Sequence, residues 1–295
     1  MIHAKETKPI ERWVLREMGI YRANSMQEIY RLRALSKDIT ELAGRPGGIQ
    51  NTKFVLGNIS KVLPILPESI CVDVGCGEGS LLEMLLNKGI HPNLGKVIGI
   101  CPNNEEIIRV KKHLQLEENT KHGIEILYGT SESLPFDNEI VDILICNNVL
   151  HGAGNSEMTV INSLNEFNRV LKTSKQTSSG LLYVGEIPDR DELSGKTYNN
   201  SISKWLWWTL KNQGAKVFLR SAKHLAVAIF TSEPFIIHPK TMYYASPETF
   251  SLLLSECGFE VLKCFKLLIL NEEGVPVESL TRYNYIAKKT DRRKF

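Results

Sequence analysis

Three glycines stand at alternate positions, Gly75, Gly77 and Gly79, directly after the apolar run from Ile70 to Val74. Glycine is needed where a ligand touches the main chain, because a Cβ would hold the ligand away or forbid the required backbone angles. A helix-like segment follows, and the unpaired N–H groups at a helix start favour a polar or anionic ligand. The spacing predicts a ligand seat built from main chain, with a purely steric strand-to-helix turn as the alternative.

Two side chains are candidates for taking a proton. His151 follows the apolar run IVDILICNN by a few residues, and Glu186 ends the run GLLYVGE. An imidazole accepts a proton near neutral pH, and α/β sheets bind ligands at the carboxyl ends of their strands. We therefore expect His151 or Glu186 to act as a general base, against the alternative of a histidine that packs or hydrogen-bonds beside the ligand.

The elements that must position these residues begin near Ile70. From there, short β-branched runs alternate with amphipathic segments of helical length, which predicts parallel strands joined by crossover helices. Near-continuous apolar runs such as VDILIC suit a sheet covered on both faces. The runs FEVLKCFKLLIL and SLTRYNYIAKK flank the turn NEEGVP and predict an antiparallel hairpin.

The periodicity also divides the chain. Apolar residues from position 9 to 43 recur at spacings of three and four and predict amphipathic helices, with a further helix around 54–63. Between 187 and 240 the strand rhythm is lost, with helical stretches expected around 201–212 and 219–230. SPETFSLLLSECG then predicts a helix that begins after Ser246 and ends at Gly258. We expect an N-terminal helical segment (1–66) that packs on the core or caps the site, a main domain (67–188 with 241–295) and an inserted cap (189–240).

Charge and composition exclude several classes of partner. The chain has 36 basic and 33 acidic residues and a net charge of +3, so no strong field points to nucleic acid. Charged or polar residues interrupt every apolar run before it reaches membrane-spanning length. The six cysteines form no C-x-x-C pair. Reduced thiols, no metal site and a cytoplasmic location are expected.

The glycine loop belongs to a larger ordered set of motifs. Asp73-Val74-Gly75-Cys76-Gly77-Glu78-Gly79 resembles the first motif of the class I S-adenosylmethionine-dependent methyltransferases. KVIGICPNNEEI is similar to their second strand, and GTSESLPFDNEIVDILICNNVLHG to their adenine-side loop and fourth strand. The resemblance covers roughly residues 68–187 and 245–289. It implies a Rossmann-like, doubly wound, mostly parallel α/β sheet of seven strands with an antiparallel C-terminal hairpin.

The same resemblance implies S-adenosylmethionine as cofactor and assigns its contacts. They are Asp73, Gly75, Cys76 and Gly77 for the methionine portion; Cys101, Pro102 and Asn103 for the ribose; Thr130, Ser131 and Glu132 for the adenine; and Asn147 beside methionine and ribose. Cys101 stands where the family usually has an acid, and Thr130 where an aspartate is common. Each lost neutral hydrogen bond would weaken binding by roughly 0.5–1.5 kcal/mol, which Asn103 or Glu132 would offset.

The expected activity is methyl transfer to a small-molecule acceptor by direct displacement, with the inserted segment covering the substrate. The N-terminal segment is a candidate homodimer surface. One alternative is a non-catalytic cofactor-binding module of the same fold. A nicotinamide-dependent oxidoreductase is disfavoured, because Ser80 replaces the last glycine of G-x-G-x-x-G. Methylation of nucleic acid is also disfavoured, since the fourth strand ends in ICNNVLHG without an N-P-P-Y signature.

Overall fold

The computed structural model contains ten strands and five helices with assigned bounds among the residues it describes. The strands are β1 (Arg12–Arg16), β2 (Gly19–Ala23), β3 (Ile70–Val74), β4 (Lys96–Cys101), β5 (Ile124–Tyr128), β6 (Ile143–Asn147), β7 (Leu181–Pro188), β8 (Phe235–Ile237), β9 (Phe259–Leu270) and β10 (Pro276–Lys289). The helices are α1 (Gly48–Val62), α2 (Ser80–Asn87), α3 (Asn104–His113), α4 (Glu157–Val170) and α5 (Pro247–Glu256), with a 3-10 turn at Leu150–Gly152. The structure describes residues 12–16, 19–23, 48–63, 68–87, 95–116, 123–152, 157–173, 180–189, 235–237, 243–270 and 274–290, and short helical stretches between 203 and 226.

Seven of the strands form the main sheet, in the order β5-β4-β3-β6-β7-β10-β9. Strands β3 to β7 are parallel, and β10 runs antiparallel to both β7 and β9. This confirms the predicted α/β fold and its C-terminal hairpin. The chain builds outward from β3 in one direction and then restarts on its other side with β6. The carboxyl ends of β3 and β6 therefore flank the crevice in which such sheets bind ligands.

Helices cover both faces of this sheet and bury a core on each. On one face, Phe167 of α4 and Phe250 of α5 pack with Tyr285 of β10, and the Phe250 and Tyr285 ring centroids lie 4.7 Å apart. On the other face, Ile59 of α1 and Leu82 of α2 join a second cluster. Each such side chain stabilises the fold by about 1.5–3 kcal/mol. The apolar faces of these helices thus cover both faces of the sheet.

The predicted limits of α5 are confirmed. Ser246 caps the helix by accepting a hydrogen bond from Thr249 N at 3.2 Å, and Pro247 occupies the first turn. The chain then leaves the helix through Gly258, whose φ of +85° lies in the left-handed region. Among the described residues, no helix has the length and apolar character needed to cross a membrane.

The prediction of N-terminal helices is wrong over residues 12–16 and 19–23. These residues form β1 and β2, which pair antiparallel, and β8 pairs with the other edge of β1. RWVLR and GIYRA are short and rich in β-branched or aromatic residues, so the pairing with β8 outweighs a weak helical spacing. Residues 24–47 lie outside the described residues. So do most of the predicted dimer surface and most of the predicted cap. The expected helix around 54–63 is confirmed by α1, and the described residues between 203 and 226 are helical.

Candidate functional site

The glycine loop joins β3 to α2 and is fastened to the end of β4. The N–H groups of Gly75 and Cys76 both donate to the carbonyl oxygen of Ile100, at 2.9 and 3.2 Å. Gly75 has a φ of +73°, and a Cβ there would lie 2.5 Å from Val149 Cγ2. Gly77 has a φ of +58°, but a Cβ there would meet nothing within 4 Å. The main chain at Gly77 is therefore bare and borders open space, as a ligand seat requires.

The loop after β5 folds back against α4. The main chains of Thr130 and Ser133 exchange two hydrogen bonds of 3.0 and 3.1 Å, which closes a tight turn. Ser131 is buried, and its Oγ accepts from Ser163 Oγ at 2.9 Å. Glu132 is exposed, and its Oε1 accepts from Asn162 Nδ2 at 3.2 Å. The three residues expected near adenine thus stand in one turn, with two of their side chains bonded to α4.

An ion pair on α4 fixes the chain just beyond this turn. Glu166 Oε1 accepts from Leu134 N at 2.7 Å, and Arg169 donates to Phe136 O at 2.7 Å and to Leu134 O at 3.3 Å. The guanidinium also binds Glu166 at 2.7 Å. Burial raises the pKa of Glu166, but the bonds from Arg169 and Leu134 outweigh it and hold the pKa below its usual range. The carboxylate is therefore ionised at neutral pH and anchors the loop.

The residues expected at the ribose end lie at the end of β4 and the start of α3. Cys101 ends β4 fully buried, with its Sγ 3.4 Å from Cys76 Sγ beneath the glycine loop. Pro102 follows, and Asn103 caps α3: its Oδ1 accepts from Glu106 N at 2.8 Å while its Nδ2 donates to Glu106 Oε1 at 3.0 Å. The Asn103 amide is thereby committed to the helix start. Its proposed compensation for the missing acid stays a prediction.

Asn147 ends β6 and is oriented by the neighbouring strand. Its Nδ2 donates to Glu186 Oε1 at 3.2 Å, and this bond to a carboxylate assigns the other amide atom as the acceptor. That acceptor, Oδ1, is buried and has no hydrogen-bond partner among the residues that the structure describes. Gly185 leaves room for it, since a Cβ there would overlap the amide oxygen. The strand end thus presents an acceptor that lacks a donor.

Glu186 is aimed at Asn147 by a bulge in β7. Val184 and Ile187 pair with Tyr285 and Tyr283, so two residues of β7 oppose Asn284 alone. Glu186 takes a φ of +65°, and its N–H donates to Asn284 Oδ1 at 3.0 Å. A left-handed conformation costs a residue with a side chain about 1–2 kcal/mol. Bulges re-aim side chains, and here the extra residue turns a fully buried carboxylate toward the end of β6.

Arg282 of β10 holds this arrangement. Its Nη1 donates to Asn148 Oδ1 at 3.0 Å and to the Glu186 carbonyl oxygen at 3.3 Å, and lies 3.4 Å from Glu186 Oε2. Asn148 is also left-handed, with a φ of +61°. One guanidinium therefore contacts two residues in the left-handed conformation, one just beyond β6 and one in β7. The sequence analysis did not identify Arg282, Asn148 or Asn284. Of these three, only Asn148 carried a local signal, because it directly follows Asn147 at the end of β6.

His151 lies in the 3-10 turn that follows β6 and is 6% exposed. Its carbonyl oxygen accepts from Tyr243 N at 3.0 Å, which joins the turn to the segment before α5. The same turn contributes Val149, the side chain that faces Gly75. The structure thus brings His151 to the carboxyl ends of β3 and β6. Its role as a base stays a prediction, as does that of Glu186.

Two buried acceptor atoms indicate what kind of ligand would suit the site at the glycine loop. Besides Asn147 Oδ1, the carboxylate of Glu78 in the glycine loop is buried; its Oε1 accepts from Ser80 Oγ at 2.7 Å. Glu78 Oε2 has no partner within the described part of the chain. Buried acceptors are normally paired, so both fit a ligand that brings N–H donors. An aminoacyl end with its ammonium group has that chemistry, and the bare main chain at Gly77 leaves it room.

Comparisons with known proteins agree with this fold. Residues 72–176 match the family model described as a methyltransferase domain. No curated protein matches the sequence. Among solved structures, the cyclase SpnF shares 13% identity with a TM-score of 0.58, over 90% of this chain and 96% of that one. Magnesium protoporphyrin IX methyltransferase from Synechocystis shares 12% identity with a TM-score of 0.52, over 91% and 99%. A chain from the complex between the Haloferax volcanii Trm112 methyltransferase activator and a methyltransferase shares 16% identity with a TM-score of 0.50, over 83% and 91%. At these identities the likenesses show the fold.

Proposed function

We propose that this chain belongs to the class I S-adenosylmethionine-dependent methyltransferase family and transfers the methyl group of that cofactor to a small-molecule acceptor. The observation that carries the choice of acceptor is burial at the carboxyl ends of β6 and β7. His151 is 6% exposed and Glu186 2% exposed. An acceptor atom that reaches these side chains must enter a covered site, which suits a compact molecule better than a broad macromolecular surface.

S-adenosylmethionine supplies an electrophilic methyl group carried on a sulfonium when it is bound. The main chain from Gly75 to Gly77, which is bare at Gly77, would hold its aminoacyl end. Asn147 Oδ1 and Glu78 Oε2 would accept hydrogen bonds from its ammonium group, which gives each buried acceptor a donor. The turn at 130–133, fixed to α4, would flank the adenine.

His151 is the stronger of the two candidates for proton removal. Both carboxylate oxygens of Glu186 already contact donors, Asn147 on one side and Arg282 on the other. A carboxylate that already accepts from two donors is better suited to orienting Asn147 than to taking a proton. An imidazole can take a proton near neutral pH. His151 would accept the proton of an oxygen, nitrogen or sulfur nucleophile. Glu186 would keep the amide of Asn147 turned toward the ligand.

Transfer of labelled methyl groups tests the proposal. The protein is incubated with methyl-labelled cofactor and a panel of small nucleophiles, with proteins and nucleic acids in parallel. Label is expected in a small molecule, whereas label found only in macromolecules would contradict the choice of acceptor. With that substrate, His151→Ala should lower turnover by about 100-fold or more, while His113→Ala, an exposed histidine at the end of α3, should not. An unchanged turnover in His151→Ala excludes proton transfer by this residue.

The second candidate function is cofactor binding without methyl transfer. It is favoured by Cys101, a buried thiol at the position where an acid would accept hydrogen bonds from a ribose. The likeness to a cyclase over 90% of the chain fits a fold that serves other reactions. Binding of S-adenosylhomocysteine with no transfer of label to any member of the panel would support this function over the first.

A further inference from the structure

We propose that Cys76 and Cys101 are a redox modification site, in which a peroxide joins the two thiols in a disulfide that locks the glycine loop to the end of β4 and closes the cofactor seat. The inference rests on the proposed function for the meaning of that closure. The formation of the bond does not depend on it.

The two sulfurs already touch. Cys76 lies between the loop glycines and Cys101 ends β4, yet their Sγ atoms are 3.4 Å apart. The hydrogen bonds from Gly75 and Cys76 to Ile100 hold the two main chains side by side. Gly99 makes room for the Cys76 side chain, since a Cβ there would lie 2.7 Å from its sulfur. A disulfide of about 2.05 Å needs the sulfurs to approach by roughly 1.4 Å, without separating any strand.

The reaction balances with a peroxide as oxidant. The Cys76 thiolate attacks one peroxide oxygen and breaks the O–O bond, which leaves a sulfenic acid on Cys76 and, with hydrogen peroxide, one water. The Cys101 thiolate then attacks that sulfur and displaces hydroxide, which leaves as the second water after protonation. The two thiols lose two protons and two electrons, and the peroxide is reduced. Cys76 is the first to react because it is 8% exposed, whereas Cys101 is fully buried.

The surroundings make this reaction slow until the pH rises. The contact with Cys101 raises the pKa of the Cys76 thiol, and burial and the charges of Asp73 and Glu106 raise it further. The reactive species is the thiolate, so the pair stays reduced under mild conditions and responds to a sustained oxidant or higher pH.

Closure of the bond should weaken cofactor binding. The seat uses the main chain between Gly75 and Gly77, and Cys76 lies between them. A pull of about 1 Å on Cys76 shifts both backbone surfaces against the ligand, and misplacements of this size are costly in preorganised sites. The affinity for S-adenosylhomocysteine should fall by about tenfold or more and return on reduction.

The test uses the full chain with Cys264→Ser, which removes an exposed thiol remote from the loop. The protein is held with hydrogen peroxide at about pH 8.5, and disulfides are mapped by mass spectrometry of unreduced peptides. S-adenosylhomocysteine is titrated before oxidation, after it, and after dithiothreitol. We expect a Cys76–Cys101 link, the tenfold loss and its reversal. Cys101→Ser and Cys76→Ala should form no such link, and their affinity should not depend on peroxide, whatever its starting value.

Three results overturn the inference. The first is that no Cys76–Cys101 link forms under conditions in which the exposed Cys264 of the unmodified chain is fully oxidised. The second is a link that leaves the affinity for S-adenosylhomocysteine unchanged, and the third is an effect of peroxide on that affinity that persists in Cys101→Ser. Failure of the reduced protein to bind S-adenosylhomocysteine would instead count against the proposed function. Peptide mapping separates the two cases, because it reads the bond without any cofactor.

Discussion

Gly77→Ala should weaken cofactor binding while leaving the protein folded. Gly77 has a φ of +58°, so a side chain there costs about 1–2 kcal/mol in backbone strain. Its Cβ would meet no protein atom within 4 Å, so no clash is added. The methyl group instead enters the space that the ligand would fill. We expect the affinity for S-adenosylhomocysteine to fall by at least about tenfold, which is 1.4 kcal/mol.

Gly274→Ala is the matched control, because Gly274 has a φ of +77° with nothing within 4 Å of a built Cβ. It precedes β10 in the C-terminal hairpin, away from the glycine loop. Both variants should lose the same 1–2 kcal/mol in chemical denaturation, whereas only Gly77→Ala should lose heat in calorimetric titration with S-adenosylhomocysteine. Equal affinities in the two variants would refute the placement of the ligand against Gly77. A much larger loss of stability in Gly77→Ala would refute the open space beside it.

Further variants test the elements around the seat. Gly57 lies inside α1, and a Cβ built there would have nothing within 4 Å. Gly57→Ala should therefore raise the free energy of unfolding by about 0.5–1 kcal/mol in urea denaturation. A lower free energy of unfolding would show that this face of the helix is covered. The folded state lowers the pKa of Glu166 below 4.5, so the stabilisation by this carboxylate is present above that pH and is lost as the pH falls. The melting temperature of Glu166→Gln should therefore fall less between pH 7 and about pH 4 than that of the unmodified chain. Parallel curves for the two proteins would contradict this. Glu186→Gln and Arg282→Gln should each destabilise the fold, and their double-mutant cycle should show a coupling free energy of about 0.5–3 kcal/mol. Additive losses would mean that the contact at 3.4 Å between Arg282 Nη1 and Glu186 Oε2 does not stabilise the protein.

Local patterns were enough to predict the sheet and the loop. Alternation of apolar strands with amphipathic helices depends on neighbours in sequence, as do the Ser246 cap and the stop at Gly258. The glycine loop was predictable for the same reason, since the left-handed angles at Gly75 and Gly77 are a property of the loop itself. These features are confirmed because short-range chemistry decides them.

Long-range pairing decided the features that sequence reasoning missed. The hairpin β1–β2 gains its third strand from β8, more than 200 residues along the chain, and this pairing overrode a helical spacing. Arg282 reaches Glu186 only through the register of β10 on β7, which also creates the bulge. The contact between Cys76 and Cys101 depends on how the glycine loop lies across β4. No local pattern contains that information.

A crystal structure with S-adenosylhomocysteine bound tests the central claim most directly. We expect the aminoacyl end to lie against the main chain of Gly75 and Gly77, with its ammonium group donating to Asn147 Oδ1 and Glu78 Oε2. A nucleoside bound elsewhere, or a protein side chain filling the space beside Gly77 in the presence of saturating ligand, would contradict the account.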